Sequence, residues 1–130
     1  MNKTESRVTK IENLLSVIRS EIPSTIGGLL VTDDGFIVAS QFDNEIDYYE
    51  VGAALSSMLQ QVRNFSKNIF DEQEQRVSLQ SKTGDIQIFS LTDSTNLVIV
   101  SNSDSKPGLL LLRVKKIKNM LIDIILNKKS

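Results

Sequence analysis

The sequence predicts an α/β fold in which helices cover both faces of one five-stranded antiparallel sheet. Three long stretches place apolar residues at helical spacing, and five shorter stretches have the character of strands. Two of those strands, around Leu29–Val31 and Leu97–Val100, are apolar at every position, as expected for strands that are covered on both faces. The predicted order is α-β-β-α-β-β-β-α in a single domain over residues 1–130.

The first third of the chain predicts a helix followed by a hairpin. The helix spans Glu5–Ile22, with apolar residues spaced by three and four, and Pro23 ends it. Strands follow at Ile26–Thr32 and Phe36–Ser40. The dipeptide Asp34-Gly35 between them indicates a turn, because tight hairpin turns need a positive φ that glycine adopts easily.

A second helix is predicted at Asp47–Phe70, with Asn44 and Asp47 as candidate caps. Its apolar residues step by four, three, four, three and four, which predicts one stripe packed on the sheet. The members of that predicted buried stripe are Val51, Leu55, Met58, Val62, Phe65 and Ile69.

The second half predicts three strands and a last helix. Gln75–Ser81 alternates, with Val77 and Leu79 inward, and is typical of a sheet edge. Ile86–Leu91 and Leu97–Val100 follow, separated by turns. The last helix carries Pro107 in its first turn, Asp104 and Ser105 as candidate caps, and an end near Asn127. Its predicted buried stripe is Leu110, Val114, Ile117, Leu121, Ile124 and Ile125.

The composition excludes several kinds of catalytic centre. The chain has no histidine and no cysteine, so it cannot contain a Ser-His-Asp or Cys-His centre or a thiolate metal site. The absence of cysteine is compatible with a reducing compartment, and we expect a cytoplasmic protein with no cofactor. A net charge of −1 gives no general attraction to nucleic acid or to anionic membranes.

Two glycine-containing stretches were considered as ligand sites. Asp33-Asp34-Gly35 lacks the alternating carboxylates and the distant glutamate of a calcium loop, so a turn is the favoured interpretation. Gly27-Gly28 precedes a strand, whereas a phosphate-binding loop follows a strand and leads into a helix. Close backbone packing is therefore the expected role of this glycine pair, and we expect no metal site and no catalytic residue.

A second face of the second helix predicts an interface with an identical subunit. Small and large residues lie together beside the stripe, which would let another helix approach closely, and the predicted edge strand has a single charged residue. The alternative is a wide core-facing stripe beside an ordinary surface. The predicted interface residues are Gly52, Ser56, Leu59, Arg63 and Phe70 on the helix, and Arg76, Val77, Ser78, Leu79 and Gln80 on the strand.

Charge is segregated along the chain. Six acids and no Lys or Arg lie between Asp33 and Glu50, whereas seven Lys or Arg face Asp123 alone from Lys106 onward. Such runs are most often solvated faces, and the alternative is electrostatic steering of a partner. Off the buried stripe, the last helix has a second apolar line at Leu111, Ile122 and Leu126, for which contact with the first helix or a partner is favoured over a membrane surface.

The chain resembles the roadblock/dynein light chain family over nearly its whole length. The resemblance rests on the order of elements and on three stretches: GGLLVTDDGFIVAS, EVGAALSSML and KPGLLLLRVKKIKNML. It implies a homodimeric, non-enzymatic platform that regulates a small Ras-like GTPase, or pairs with another roadblock or longin-type protein. Arg63 and Arg113 are expected on exposed helical faces, although neither belongs to a catalytic motif.

Two other function classes stay open at the level of the sequence. One is a small-ligand sensor with a profilin-like or longin-like fold, which would need an apolar cavity with a few converging polar groups. The other is an enzyme that uses the carboxylates of Asp33 and Asp34, which the missing histidine disfavours.

Overall fold

A computed structural model describes residues 6–74 and 76–127. Within them the order is α1 (Arg7–Glu21), β1 (Thr25–Thr32), β2 (Ile37–Phe42), α2 (Tyr48–Phe70), β3 (Arg76–Gln80), β4 (Gly84–Ser90), β5 (Thr95–Asn102) and α3 (Pro107–Ile125). The predicted α-β-β-α-β-β-β-α order is confirmed. Four residues named in predicted elements or in the basic tail lie outside the described residues: Glu5, Gln75, Lys128 and Lys129.

The five strands form one antiparallel sheet in the order β2-β1-β5-β4-β3. The two strands that are apolar at every position, β1 and β5, lie in its interior, as the sequence predicts. β3 is one of the two edge strands, which confirms the expectation from its alternating sequence.

Two hydrophobic clusters lie on opposite faces of the sheet. α1 and α3 cover one face and bury Ile11, Leu15, Leu97 and Leu121. α2 covers the other face with Leu59, above Leu29, Val31, Ile88 and Val98. The sheet therefore separates an α1/α3 face from an α2 face.

Glycine at position 27 is required by close packing, as the sequence predicts. A Cβ atom there would lie 2.0 Å from the ring of Phe42, so the ring rests directly on the β1 backbone. Any side chain at this position would displace Phe42 and separate β1 from β2.

The N-terminal caps of α2 and α3 differ from each other. Asp47 caps α2, since its side chain accepts a hydrogen bond from the Glu50 backbone nitrogen at 3.1 Å. The side-chain cap predicted for α3 is wrong: Lys106 occupies the N-cap position and makes no such bond. Ser105 instead donates its hydroxyl to Asp85 Oδ2 at 2.6 Å, which ties the start of α3 to β4.

Candidate functional site

The β1–β2 loop rests on the first half of α2. Its backbone makes the predicted turn: Gly35 N donates to Thr32 O at 2.9 Å, and Gly35 has a φ of 94°. A Cβ atom at Gly52 would lie 2.1 Å from the carbonyl oxygen of Gly35. Loop and helix therefore touch backbone to backbone, and Ser56 reinforces the contact by donating to Asp33 O at 2.7 Å.

Asp33 does more than form this turn. Its carboxylate pairs with the guanidinium of Arg63, and its Oδ1 accepts a hydrogen bond from Asn96 Nδ2 at 3.0 Å. Arg63 Nη2 donates to Asn96 Oδ1 at 2.7 Å, while Arg63 Nε pairs with Glu74 Oε2 at 3.1 Å. We call Asp33, Arg63, Glu74 and Asn96 the Arg63 cluster. It joins the β1–β2 loop, α2, the segment before β3, and β5.

The pKa values of this cluster reflect the pairing. For Asp33, burial acts to raise the pKa, but the hydrogen bonds from Arg63 and Asn96 and the positive charge of Arg63 outweigh it, so the pKa is lowered. For Arg63, burial acts to lower the pKa, but the hydrogen bonds to Asp33 and Glu74 and their negative charges outweigh it, so the pKa is raised. Both groups are therefore charged at neutral pH, and the cluster is an ion-pair network.

The predicted buried stripe of α2 is wrong at its C-terminal end. Val51, Leu55 and Met58 are partly buried and pack against the cluster on the α2 face, but Phe65 is 66% exposed and Ile69 is 58% exposed. The buried residues of the helix are Gly52, which meets the Gly35 backbone, Leu59, and Ser66, which donates to Glu72 O at 2.7 Å. We call Val51, Leu55, Met58, Val62, Phe65 and Ile69 the lateral stripe.

Most of the α2 face that the sequence assigned to a second subunit is occupied within the protomer. Gly52 contacts Gly35, Ser56 bonds to Asp33, and Leu59 is 1% exposed in the core. Arg63 was expected to be exposed, but its side chain is only 14% exposed within its cluster. Phe70 is the exception, at 69% exposed.

The β3 strand follows α2 in the chain and reaches the α2 face of the sheet through Val77. Val77 packs partly under α2, whereas Leu79, predicted inward, is 42% exposed. Arg76, Ser78 and Gln80 alternate with them and are exposed. One side of β3 pairs with β4, and no described strand pairs with its other side. The predicted role of these five residues in an interface stays a prediction.

On α3, four members of the predicted stripe are buried: Leu110, Val114, Ile117 and Leu121. Ile124 and Ile125 are only partly buried, at the end of the helix. Of the second apolar line, Ile122 packs against the core shared with α1, whereas Leu111 and Leu126 are exposed. Arg113 is half-buried and lies 3.7 Å from Glu21 of α1.

In residues 6–74 and 76–127, no group of three or more Asp or Glu side chains lies close enough together to hold a metal ion. Across those residues, no helix has the length and apolar character that a bilayer span requires.

Comparison with solved structures shows the fold. MglB from Myxococcus xanthus superposes with a TM-score of 0.85 over 100% of this chain and 99% of that one, at 18% identity. A structure described as MglB with tetrameric arrangement gives a TM-score of 0.83 over 93% and 91%, at 15% identity. A Roadblock/LC7 domain from Streptomyces avermitilis gives 0.73 over 85% and 97%, at 16% identity. The chain has the roadblock fold.

No family model matches the sequence, and no curated protein matches it. The roadblock fold is therefore carried by a sequence that has diverged widely from the solved examples, which agree with it at 15–18% of positions.

Within this roadblock fold, sequence reasoning missed the Arg63 cluster. Asp33 was interpreted as a turn residue and Arg63 as a surface residue, and Glu74 and Asn96 were not singled out. One signal was present in the sequence: Asn96 is a polar residue directly before the all-apolar run Leu97–Val100, and a buried amide at such a place needs partners.

Proposed function

We propose that this protein is a non-enzymatic, homodimeric roadblock-type platform that binds and regulates a small Ras-like GTPase, or scaffolds a complex containing one. The observation that carries the proposal is that α2 exposes apolar residues and that the β3 edge of the sheet is unpaired among the described residues. Phe65 and Ile69 of the lateral stripe are exposed, and β3, the next element along the chain, has an edge that no described strand pairs with, in a fold shared with MglB.

The residues that form the interface of the proposed dimer are not the ones expected from the sequence. Phe65, Ile69 and Phe70 of α2 supply the exposed apolar surface, and Arg76–Gln80 supply the strand edge. The other predicted helix residues instead attach α2 to the β1–β2 loop and the sheet of its own protomer: Gly52, Ser56, Leu59 and Arg63. Clustered aromatic and aliphatic side chains are typical of the buried centre of an interface. The tetrameric arrangement named for one MglB structure supports self-association of this fold.

The proposed action is to hold a GTPase in one of its conformations. A dimer built on two α2 helices and a joined sheet presents a rigid surface, and a rigid surface that binds one switch conformation better shifts the nucleotide cycle. The two arginines expected on exposed helical faces have other contacts, since Arg63 lies in its cluster and Arg113 is half-buried near Glu21. We therefore propose regulation by selection of a conformation, without a catalytic group from this chain.

We expect the double variant Phe65→Glu/Ile69→Lys to be monomeric. Both side chains are more than half exposed in the protomer, so the fold should tolerate the change, and the new charges at i and i+4 can pair on the helix surface. Sedimentation equilibrium at about 500 mM salt, where long-range charge contacts are screened, measures the mass, and circular dichroism checks the fold. Phe36→Glu is the control, because Phe36 is 67% exposed but lies on the β1–β2 loop. A double variant that remains dimeric would contradict the proposed interface.

The GTPase proposal is tested with small GTPases encoded in the same genome. Each is loaded with GDP or with a non-hydrolysable GTP analogue and passed over the immobilised protein, followed by exchange and hydrolysis assays. We expect retention that depends on the loaded nucleotide and that weakens about tenfold or more in the monomeric variant, since the composite surface needs two copies. Equal retention of both loaded forms, or none, contradicts the proposal, and stabilisation by a metabolite in thermal-shift assays would favour the small-ligand sensor.

A further inference from the structure

The α1/α3 face has a groove between α3 and the β3 edge. Leu111, Val114, Lys115 and Lys118 line it from α3, at spacings of three, one and three that place them on one side of the helix. Arg76 and Phe89 line it from the sheet, where they form a cross-strand pair of β3 and β4. The groove has a volume of about 380 Å³.

The chemistry of this groove is apolar at the floor and cationic at the rim. Phe89 and Val114 are buried and form the floor, together with the partly exposed Leu111. Arg76, Lys115 and Lys118 supply three positive charges, and the six lining residues include no carboxylate. A matching occupant has an apolar or aromatic side chain flanked by acids, since Lys and Arg also bind favourably to aromatic faces.

The chain itself presents such a feature at the start of α2. Tyr49 is 90% exposed, which is the largest exposure among the large hydrophobic side chains of the described residues. Glu45, Asp47 and Glu50 surround it in sequence, and no Lys or Arg occurs between residues 33 and 50. We call residues 45–50 the acidic knob. Three carboxylates around one aromatic ring match three cations around one apolar floor.

The knob cannot reach the groove of its own protomer. The first half of α2 lies against the β1–β2 loop, where Gly52 meets Gly35 and Ile37, at the β2 edge of the sheet. The groove lies at the β3 edge, at the other end of the order β2-β1-β5-β4-β3, and on the opposite face. The two surfaces are also different from each other, so any contact between them joins two copies head to tail.

We propose that the groove between α3 and β3 binds the acidic knob of a second copy of this chain, with Tyr49 on the apolar floor and the three acids facing Arg76, Lys115 and Lys118. The contact is heterologous, so it extends assembly beyond the two-fold dimer proposed above. It does not use Phe65 or Ile69, so the double variant should still associate head to tail at about 50 mM salt and be monomeric at about 500 mM salt, where the contact is screened.

The test uses charge reversal on each side of the contact. Lys115→Glu/Lys118→Glu makes the groove acidic, and Glu45→Lys/Glu50→Lys makes the knob basic. Sedimentation velocity of the full chain at high concentration is compared at about 50 mM and about 500 mM salt, where the screening length changes more than twofold. For the unmodified chain we expect species larger than the dimer at low salt only. Each variant alone should associate about tenfold more weakly at low salt, which lowers the average mass of its species.

Mixing the two variants gives the most discriminating result. In the mixture each basic knob meets an acidic groove and each acidic knob meets a basic groove, so we expect association to return. Lys82→Glu/Lys116→Glu is the matched control, since it makes the same net charge change at two exposed residues outside the groove. Thermal melting checks that all variants fold.

Three results of the sedimentation experiments overturn the proposal: a salt-independent mass at or below the dimer for the unmodified chain, equal loss in the matched control, or no recovery on mixing. A fourth comes from phosphatidylserine vesicles: if Lys115→Glu/Lys118→Glu loses cosedimentation with them but keeps its self-association, the proposal is overturned and the groove is assigned to anionic lipid. Tyr49→Ser should weaken assembly at the low salt concentration, because it removes the apolar part of the contact.

Discussion

Replacing Leu59 by alanine should lower the free energy of unfolding by about 2–5 kcal/mol, because the side chain is fully buried between α2 and the sheet and its removal leaves a cavity. Phe70→Ala is the matched comparison on the same helix. Phe70 is 69% exposed in the protomer, so its loss should change monomer stability by about 0.5 kcal/mol or less. Urea unfolding followed by circular dichroism measures both.

Both variants are made in the Phe65→Glu/Ile69→Lys background, because dimer formation would otherwise stabilise the folded state by mass action. Leu59→Glu is unsuitable as a test of the dimer, since a carboxylate placed among Leu29, Val31 and Ile88 should unfold the chain itself. A Leu59→Ala variant as stable as its background would show that α2 does not pack on the sheet through this residue.

The second helix shows what an apolar pattern can predict and what it cannot. Spacing by three and four correctly predicts an amphipathic helix over residues 48–70. It cannot distinguish an apolar stripe covered by the chain's own sheet from one available to another subunit, because both exclude water in the assembled state. The deciding contact here is Gly52 on Gly35, which is a backbone approach and gives no hydrophobic signal.

The strands were predicted more accurately because their signals are local. Asp34-Gly35 marks a turn by its own backbone preference, and two all-apolar runs mark the interior of the sheet. Observed boundaries differ by at most two residues: β2 runs on to Phe42, and β4 begins at Gly84. Those extensions are polar or small residues that pair in the ladder without adding to the apolar pattern, apart from Phe42 itself.

The Arg63 cluster could not be predicted in the same way. Its four members come from positions 33, 63, 74 and 96, and the sheet order brings them together. No spacing rule links residues so far apart, and each one alone has an ordinary local role. The exposed-face prediction for Arg63 was wrong because helical periodicity gives a direction around the axis but not the position of the β1–β2 loop.

Removing Arg63 should be as damaging as removing Leu59. Arg63→Ala leaves the carboxylate of Glu74, whose side chain is 9% exposed, without its cation, and leaves Asn96 Oδ1 without its donor. Breaking one partner from a buried ion pair costs about 3–5 kcal/mol. Urea unfolding measures the loss, and Arg113→Ala is the control, since its more exposed contact with Glu21 at 3.7 Å should contribute about 1 kcal/mol or less.

Two further measurements separate the charge effect from lost packing. Adding Glu74→Gln to Arg63→Ala removes the unpaired buried charge, so part of the stability should return, with a coupling of about 0.5–3 kcal/mol.

Acid titration tests Asp33. Its pKa is lower in the folded state, so its stabilising effect is present above the unfolded value of about 3.9 and is lost as the pH falls toward the folded value. The stability difference between the unmodified protein and Asp33→Asn should therefore shrink below about pH 4. A difference independent of pH would show that Asp33 acts through its hydrogen bonds to Asn96 and the loop rather than through its charge.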